Sequence, residues 1–204
     1  MILCDREIRA AMARNALKIS PTPVGSAWSS TAVDLRLDKH LVVWKKAGGS
    51  GVEAIVSPTH PEYNFDEVRN QYGEKITCPD DGYVFRSGGF LLSWTMERIQ
   101  LPYRSRLAAR VEGKSSLARL GIGVHVTAPT IHAGFGFKSG DADYPGSPLQ
   151  LEMWNCGPLD IRLIPGMPIC QLILEQVDGT PEKGYDGRFS LQGPQLEVTP
   201  HRLG

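Results

Sequence analysis

Tyr83-Val84-Phe85-Arg86-Ser87-Gly88-Gly89-Phe90-Leu91-Leu92-Ser93-Trp94-Thr95 sets two short runs of aromatic and aliphatic residues around a serine–glycine–glycine turn. Aromatic and branched side chains suit a pleated, half-buried surface, and the glycines supply the backbone freedom a tight turn needs. The segment therefore reads as strand, turn, strand. The same pattern runs outward in both directions. Downstream, residues 97–101, 107–111, 122–127, 150–154, 161–164 and 169–176 read as further short strands. Upstream, Thr31-Ala32-Val33-Asp34-Leu35-Arg36-Leu37 alternates, with Val33, Leu35 and Leu37 on one side and Asp34 and Arg36 on the other. Leu41-Val42-Val43-Trp44 reads as a second strand beyond it. Short strands at regular spacing, parted by glycine and proline turns, predict a mainly β sandwich, jelly roll or barrel.

Less of the chain reads as helix. Asp5 is a candidate N-cap for residues 6–14, where Ile8, Ala11 and Met12 share one face. Residues 45–81 carry Gly48-Gly49-Ser50-Gly51 and few periodic apolar positions, which predicts a long excursion with a short helix at 65–70. The tail, 178–204, is rich in glycine and proline and reads as disordered or as a segment that orders over something. No tandem repeat is apparent, and 204 residues suit one domain.

Charge sets limits on partners. The 22 basic and 22 acidic residues balance at +0, so no overall field favours nucleic acid or a membrane surface. Anion binding must then be local. The four cysteines are scattered without a Cys-x-x-Cys pair, so neither a zinc site nor a disulfide framework is expected. The N-terminus becomes charged too early for a signal peptide, and no apolar run approaches membrane-spanning length. These features predict a soluble, cytoplasmic protein.

Two stretches concentrate polar chemistry. In Arg110-Val111-Glu112-Gly113-Lys114-Ser115-Ser116-Leu117-Ala118-Arg119-Leu120-Gly121, a strand runs into a glycine and then a short helical turn. Free backbone N–H groups at the turn's start, with the Ser115 and Ser116 hydroxyls, suit an anion. Lys114 offers a mobile point charge and Arg119 a planar fork for phosphate or carboxylate. Ser115 and Arg119, four apart, fall on one helical face. An ordinary capped surface turn satisfies the same pattern. In Leu149-Gln150-Leu151-Glu152-Met153-Trp154-Asn155, the residues Gln150, Glu152 and Trp154 share one strand face. A carboxylate beside an indole can accept and return a proton, although a solvated strand glutamate reads the same way.

The order of these motifs resembles the dCTP deaminase branch of the dCTP deaminase/trimeric dUTPase superfamily. Met1-Ile2-Leu3-Cys4-Asp5-Arg6-Glu7-Ile8 is similar to that family's opening helix, and residues 32–37 resemble its Ser-Val-Asp-Leu-Arg-Leu strand. Residues 95–102 resemble its Thr-x-Glu-x-x-x-Leu-Pro segment, and residues 113–121 with His125-Val126-Thr127-Ala128 match its signature nearly residue for residue. Residues 151–155 and 165–172 match its last two core motifs.

The resemblance implies a distorted jelly-roll-like fold and a homotrimer with sites shared between subunits. It implies hydrolytic deamination of dCTP to dUTP, without a metal-bound water. Glu152 would be the general acid/base, with Ser115 and Arg119 orienting water and glutamate. The Ala128 carbonyl would help hold the base, and Lys114 and Ser116 belong to the triphosphate segment, with magnesium accompanying the phosphates and no zinc. Gln150 is placed with the substrate-binding residues beside Glu152. Tyr185, Arg188 and Gln192 fall where the family has a closing C-terminal lid, with Arg188 replacing the usual lysine. Ile131-His132-Ala133-Gly134 departs from the family's Ile-Asp-Pro-Gly, whose aspartate serves sugar recognition; His132 can still bond a sugar hydroxyl. Residues 137–145 look like an insertion close to the sugar and base. The leading reading is a dCTP deaminase; the alternatives are a deaminase of a related deoxycytidine nucleotide or a dUTPase-like nucleotide hydrolase, and a nucleotide-binding module without turnover.

Overall fold

The structure, a computed structural model, describes residues 1–45, 55–124, 128–141, 143–187 and 193–194. In chain order its elements are α1 (Asp5–Ala13), β1 (Lys18–Ser20), β2 (Val33–Trp44), α2 (Phe65–Tyr72), β3 (Gly73–Thr77), β4 (Tyr83–Phe85) and β5 (Phe90–Gln100). There follow β6 (Leu107–Gly113), α3 (Ser115–Ala118), β7 (Ile122–Val124), β8 (Thr130–Ile131), β9 (Ser147–Asn155), β10 (Ile161–Leu163) and β11 (Pro168–Gln176). The fold is mainly β, as the turn spacing predicts.

One sheet runs β7-β9-β5-β2-β11-β6-β8, with β1 added to β5 and β3 added to β2. Its recorded pairings are antiparallel. The two runs predicted between 31 and 44 are one twelve-residue strand. It survives as one strand by changing partners. Residues 33–36 pair with β11, then 40–44 pair with β3, while 37–43 pair with β5. The strands predicted at 90–95 and 97–101 likewise merge into β5. The opening strand–turn–strand is present, but its strands do not pair with each other: β4 forms a separate two-stranded sheet with β10.

The core follows the alternation. Val33, Leu35 and Leu37 on β2 are fully buried, as are Leu151 and Met153 on β9, and Ile8 and Ala11 of α1 pack into the same cluster. Cys4, without a side-chain cap bond, precedes α1, so Asp5 lies in the first turn rather than at the cap. There its charge still suits the helix start. From residue 55 onward the 45–81 excursion is more ordered than its composition suggests. Asn64 caps α2 by accepting from the Asp66 N–H at 3.0 Å, and β3 then returns alongside β2. Phe65 of α2 packs with Trp44 against Val42, Leu92 and Trp94, a second small cluster on the opposite face of the sheet. Residues 46–54 lie outside the described residues.

Two polar clusters set the register of the strands that carry chemistry. The Thr95 hydroxyl donates to the Glu97 carbonyl at 2.7 Å and accepts from the Leu149 N–H at 2.9 Å. It sits where the β5–β9 pairing shifts register between Trp94 and Arg98. A shift leaves backbone groups without ladder partners, and the hydroxyl satisfies two of them. Glu97, 3% exposed, accepts from the Arg36 N–H at 2.8 Å and its Nε at 2.7 Å. At the other end of β9, buried Asn155 donates to the carbonyls of Phe85 and Leu159 and accepts from the Gly157 N–H. The Ser87-Gly88-Gly89 turn also closes on this residue, with Gly88 N–H donating to the Asn155 carbonyl at 2.7 Å.

Candidate active site

The outer face of β9 presents Gln150, Glu152 and Trp154, each half-buried, while Leu149, Leu151 and Met153 point into the core. Neighbouring strands build a cleft on that face. Leu92 lies opposite Glu152 and Phe90 opposite Trp154 in the β5–β9 register. Gly123 of β7 lies opposite Trp154 on the other edge, and a Cβ there would sit 2.2 Å from the indole Cε2. Only glycine lets the ring lie flat on this strand. The cleft encloses about 410 Å³. Trp44, Phe65, Phe90 and Leu92 form an apolar wall, and Ala128, His132, Phe135 and Tyr185 face it across Gln150 and Glu152. Among the described residues, Glu152 is the one carboxylate and His132 the one imidazole in this lining. A lone acid in mostly apolar surroundings can pass a proton without a competing carboxylate nearby.

The first residues of the tail dock on this cleft. Tyr185 N–H donates to the Ala133 carbonyl at 2.9 Å, and its ring meets His132 with centroids 5.1 Å apart and planes at 33°. Gly134, with φ +103°, lies so close that a Cβ would be 2.3 Å from the Tyr185 nitrogen. Gly193 and Pro194 reappear beside His40, Trp94 and Arg98, also on the β2–β5 surface. Arg188 and Gln192 lie outside the described residues.

The signature turn is built separately. Lys114 is the residue before α3, in extended conformation, and its carbonyl accepts from the Leu117 and Ala118 N–H groups at 3.0 and 2.9 Å. Leu117 is the buried foot of the turn, whereas Ser115, Ser116 and Arg119 are exposed. Lys114 is not the mobile charge predicted: its Nζ lies 2.5 Å from Asp34 Oδ2, and Gln171 Nε2 donates to Asp34 Oδ1 at 3.0 Å. At the far end, Gly121 (φ +89°) presses on Gly157, where a Cβ would be 2.2 Å from the Gly157 nitrogen. The Gly121 carbonyl accepts from the Cys156 N–H at 2.9 Å and from its thiol at 3.2 Å.

The predicted residues thus fall into two groups. Glu152, Gln150, Ala128, His132 and Tyr185 share the cleft; Lys114, Ser115, Ser116 and Arg119 do not line it within this chain. The described residues of the 137–145 segment do not line it either. Gly136 and Gly146 both crowd the Ile99 carbonyl, and Phe137, Lys138, Gly140 and Asp141 border a different opening of about 750 Å³ beside β1. There Lys138 pairs with Asp141 at 3.0 Å and Lys18 donates to the Tyr144 carbonyl at 3.1 Å. Sequence reasoning missed Trp44, Phe65 and Phe135 as cleft walls and Asp34 with Gln171 as the partners of Lys114. The alternation of Asp34 with buried residues was the one available signal. Among the described residues no three His, Cys, Asp or Glu side chains gather as a metal site, and no helix is long and apolar enough to cross a membrane.

A dCTP deaminase from Rhodospirillum rubrum is 32% identical over 204 residues, spanning 100% of this chain and 97% of that protein. A dUMP-forming dCTP deaminase from Methanosphaera stadtmanae is 31% identical, spanning 96% and 92%. The structure of a 2'-deoxycytidine 5'-triphosphate deaminase from Agrobacterium tumefaciens shares the fold, with TM-score 0.59 and 23% identity over 85% of this chain and 47% of that one. The family model described as dCTP deaminase-like matches residues 2–177, and the chain belongs to that family.

Proposed function

We propose that the protein deaminates dCTP hydrolytically to dUTP and ammonia. The observation that carries this reading is Glu152, the single carboxylate among the described residues of an apolar-walled cleft, on a strand that resembles the family's motif. Water adds to C4 of cytosine as Glu152 takes one of its protons and passes it to N3. Glu152 then takes the proton of the new C4 hydroxyl and delivers it to the amino group; the C4–N bond breaks, ammonia leaves, and C4 keeps the oxygen as a carbonyl. The Ala128 carbonyl and Gln150 hold the base, and His132 bonds the sugar. Tyr185, with Arg188 and Gln192 beyond it, closes over the bound nucleotide and excludes water.

Ser115 and Arg119 orient water and glutamate, and Lys114 and Ser116 belong to the segment that receives the triphosphate. Because these four do not line the Glu152 cleft of their own chain, they serve the cleft of a neighbouring copy in a homotrimer. Magnesium arrives with the triphosphate, bound by its oxygens. The relatives include one named dCTP deaminase and one named as a dUMP-forming dCTP deaminase. His132 where the family has an aspartate favours deamination alone, because the carboxylate that dUTPase-like chemistry uses to activate water is missing there.

The test is to incubate the protein with dCTP and magnesium and follow ammonia, dUTP and pyrophosphate. Ammonia with dUTP supports the reading; pyrophosphate in step with ammonia refutes the product assignment, and no ammonia refutes the activity. Glu152→Gln should lower kcat by at least about a hundredfold while dCTP still binds. Mixing separately inactive Glu152→Gln and Arg119→Met chains under subunit exchange should restore activity. Sites confined to one chain give no such rescue.

A further inference from the structure

The signature turn is only four residues long, and a helix of that length has no stability of its own. Its position is therefore set by what grips its ends. The rear grip is backbone on backbone, Gly121 against Gly157 with Cys156 bonding the Gly121 carbonyl. The front grip is a polar cluster drawn from three elements. Asp34 comes from β2, Gln171 from β11, and Lys114 stands at the mouth of α3. Both Asp34 oxygens are engaged, one by the ammonium and one by the amide. The side chains of Asp34 and Lys114 are 14% and 22% exposed, so water competes weakly for either. Lys114 also supplies the carbonyl that accepts the turn's first two hydrogen bonds. Fixing this residue fixes where the turn begins.

We propose that Asp34, supported by Gln171, is a positioning residue for the reaction: through the Lys114 ammonium it holds Ser115 and Arg119 where the neighbouring cleft needs them. Lys114 acts as a strut between β2 and the turn, and the charge presented to the nucleotide comes from Arg119. The inference rests on the deaminase reading above and adds two residues to it. A strut and a phosphate ligand differ in what their loss does. Removing a group that only binds phosphate raises KM and spares kcat. Displacing the turn moves the groups that orient water and glutamate, so kcat falls as well.

The experiment is steady-state deamination of dCTP by the full chain as wild type, Asp34→Asn, Lys114→Met, Lys114→Arg and the Asp34→Asn/Lys114→Met double variant, with thermal unfolding of each. Each of the two single losses should cut kcat/KM by about tenfold, shared between kcat and KM, and the double should be no worse than either single. Lys114→Arg, which keeps a cation in reach of Asp34, should retain most activity. Gln171→Leu should show a smaller loss in the same direction, and serves in place of Asp34→Asn if that chain does not fold. Additive losses in the double overturn the proposal, as does a Lys114→Met effect confined to KM. A shift in magnesium requirement in Asp34→Asn alone also overturns it, because Asp34 would then act on the metal–phosphate directly. A wild type that turns over no dCTP removes the deaminase reading itself. An active wild type with an unchanged Asp34→Asn removes only this inference.

Discussion

Replacing Thr95 by valine tests how the catalytic strand is held. The two side chains have nearly the same shape, so the change removes a hydroxyl without opening a cavity. That hydroxyl is 1% exposed with the rest of Thr95, donates to the Glu97 carbonyl and accepts from the Leu149 N–H. Leu149 is 1% exposed and Glu97 3%, so water does not replace either bond. Each orphaned buried group costs about 1–3 kcal/mol. The methyl that replaces the hydroxyl returns about 0.8 kcal/mol. The net loss should be roughly 1–5 kcal/mol, which lowers the melting temperature of a domain this size by about 2–20 °C. Urea unfolding followed by far-ultraviolet circular dichroism, at one fixed protein concentration, measures it. Thr95→Ser keeps both bonds and should lose only about 1 kcal/mol, for the missing methyl. Leu149 lies three residues before Glu152, so turnover should fall in the valine variant and hold in the serine variant. A Thr95→Val protein within about 0.5 kcal/mol of wild type would refute the idea that this hydroxyl replaces the lost ladder bonds.

Other outcomes follow from the same geometry. Gly121→Ala should cost at least about 2 kcal/mol more than Gly88→Ala, because both glycines have positive φ but only the first meets backbone, and thermal unfolding of the pair isolates the clash. Brief iodoacetamide treatment of the native protein should label Cys156, which is exposed, and leave Cys170 untouched; peptide mass spectrometry reads the order. Cys170 is fully buried, and that burial first, then the nearby Glu97 and Asp34 carboxylates, pushes its thiol far above the ordinary range, so no thiolate forms near neutral pH. The Asp160 carboxyl is held below its ordinary value by the Ser87 N–H at 3.0 Å and then by Arg86 at 2.5 Å. A depressed folded-state value means its contribution is present above the unfolded-state value and is lost as pH falls through the folded one. Asp160→Asn should flatten that part of an acid-unfolding curve, and an unchanged curve would show the pair to be idle.

The parts of the fold legible in the sequence are those where one residue pattern has one physical reading. Val33, Leu35 and Leu37 alternate because one strand face is core, and Leu149, Leu151 and Met153 do the same on β9. The continuity of β2 was not legible, since Asp38-Lys39-His40 interrupts the apolar pattern where the strand exchanges one neighbour for another. Strand β3, Gly73–Thr77, was hidden for a related reason: its Glu74 and Lys75 face solvent at a sheet edge, where alternation carries little signal. The site was legible in the same uneven way. Glu152, Gln150 and Tyr185 reach the cleft, and the motif resemblance marked them. Phe65 reaches it only through the folding of α2 onto the sheet beside Trp44 at the end of β2, a long-range packing event that local pattern does not encode. Lys114 shows the opposite limit. Its spacing suits a phosphate, but its nearest partner is eighty positions away at Asp34.

The contact between Gly121 and Gly157 has a consequence for how a map of tolerated substitutions would look. Neither residue has a side chain to offer a substrate, a proton or a partner subunit. Yet every replacement at either position must push two stretches of main chain apart, one leading back to Arg119 and the other to Glu152. In such a map both glycines would score as intolerant as the residues that do the chemistry, and no second substitution across the contact could compensate, since there is nothing smaller than glycine to retreat to. Intolerance at this seam would report spacing rather than reactivity.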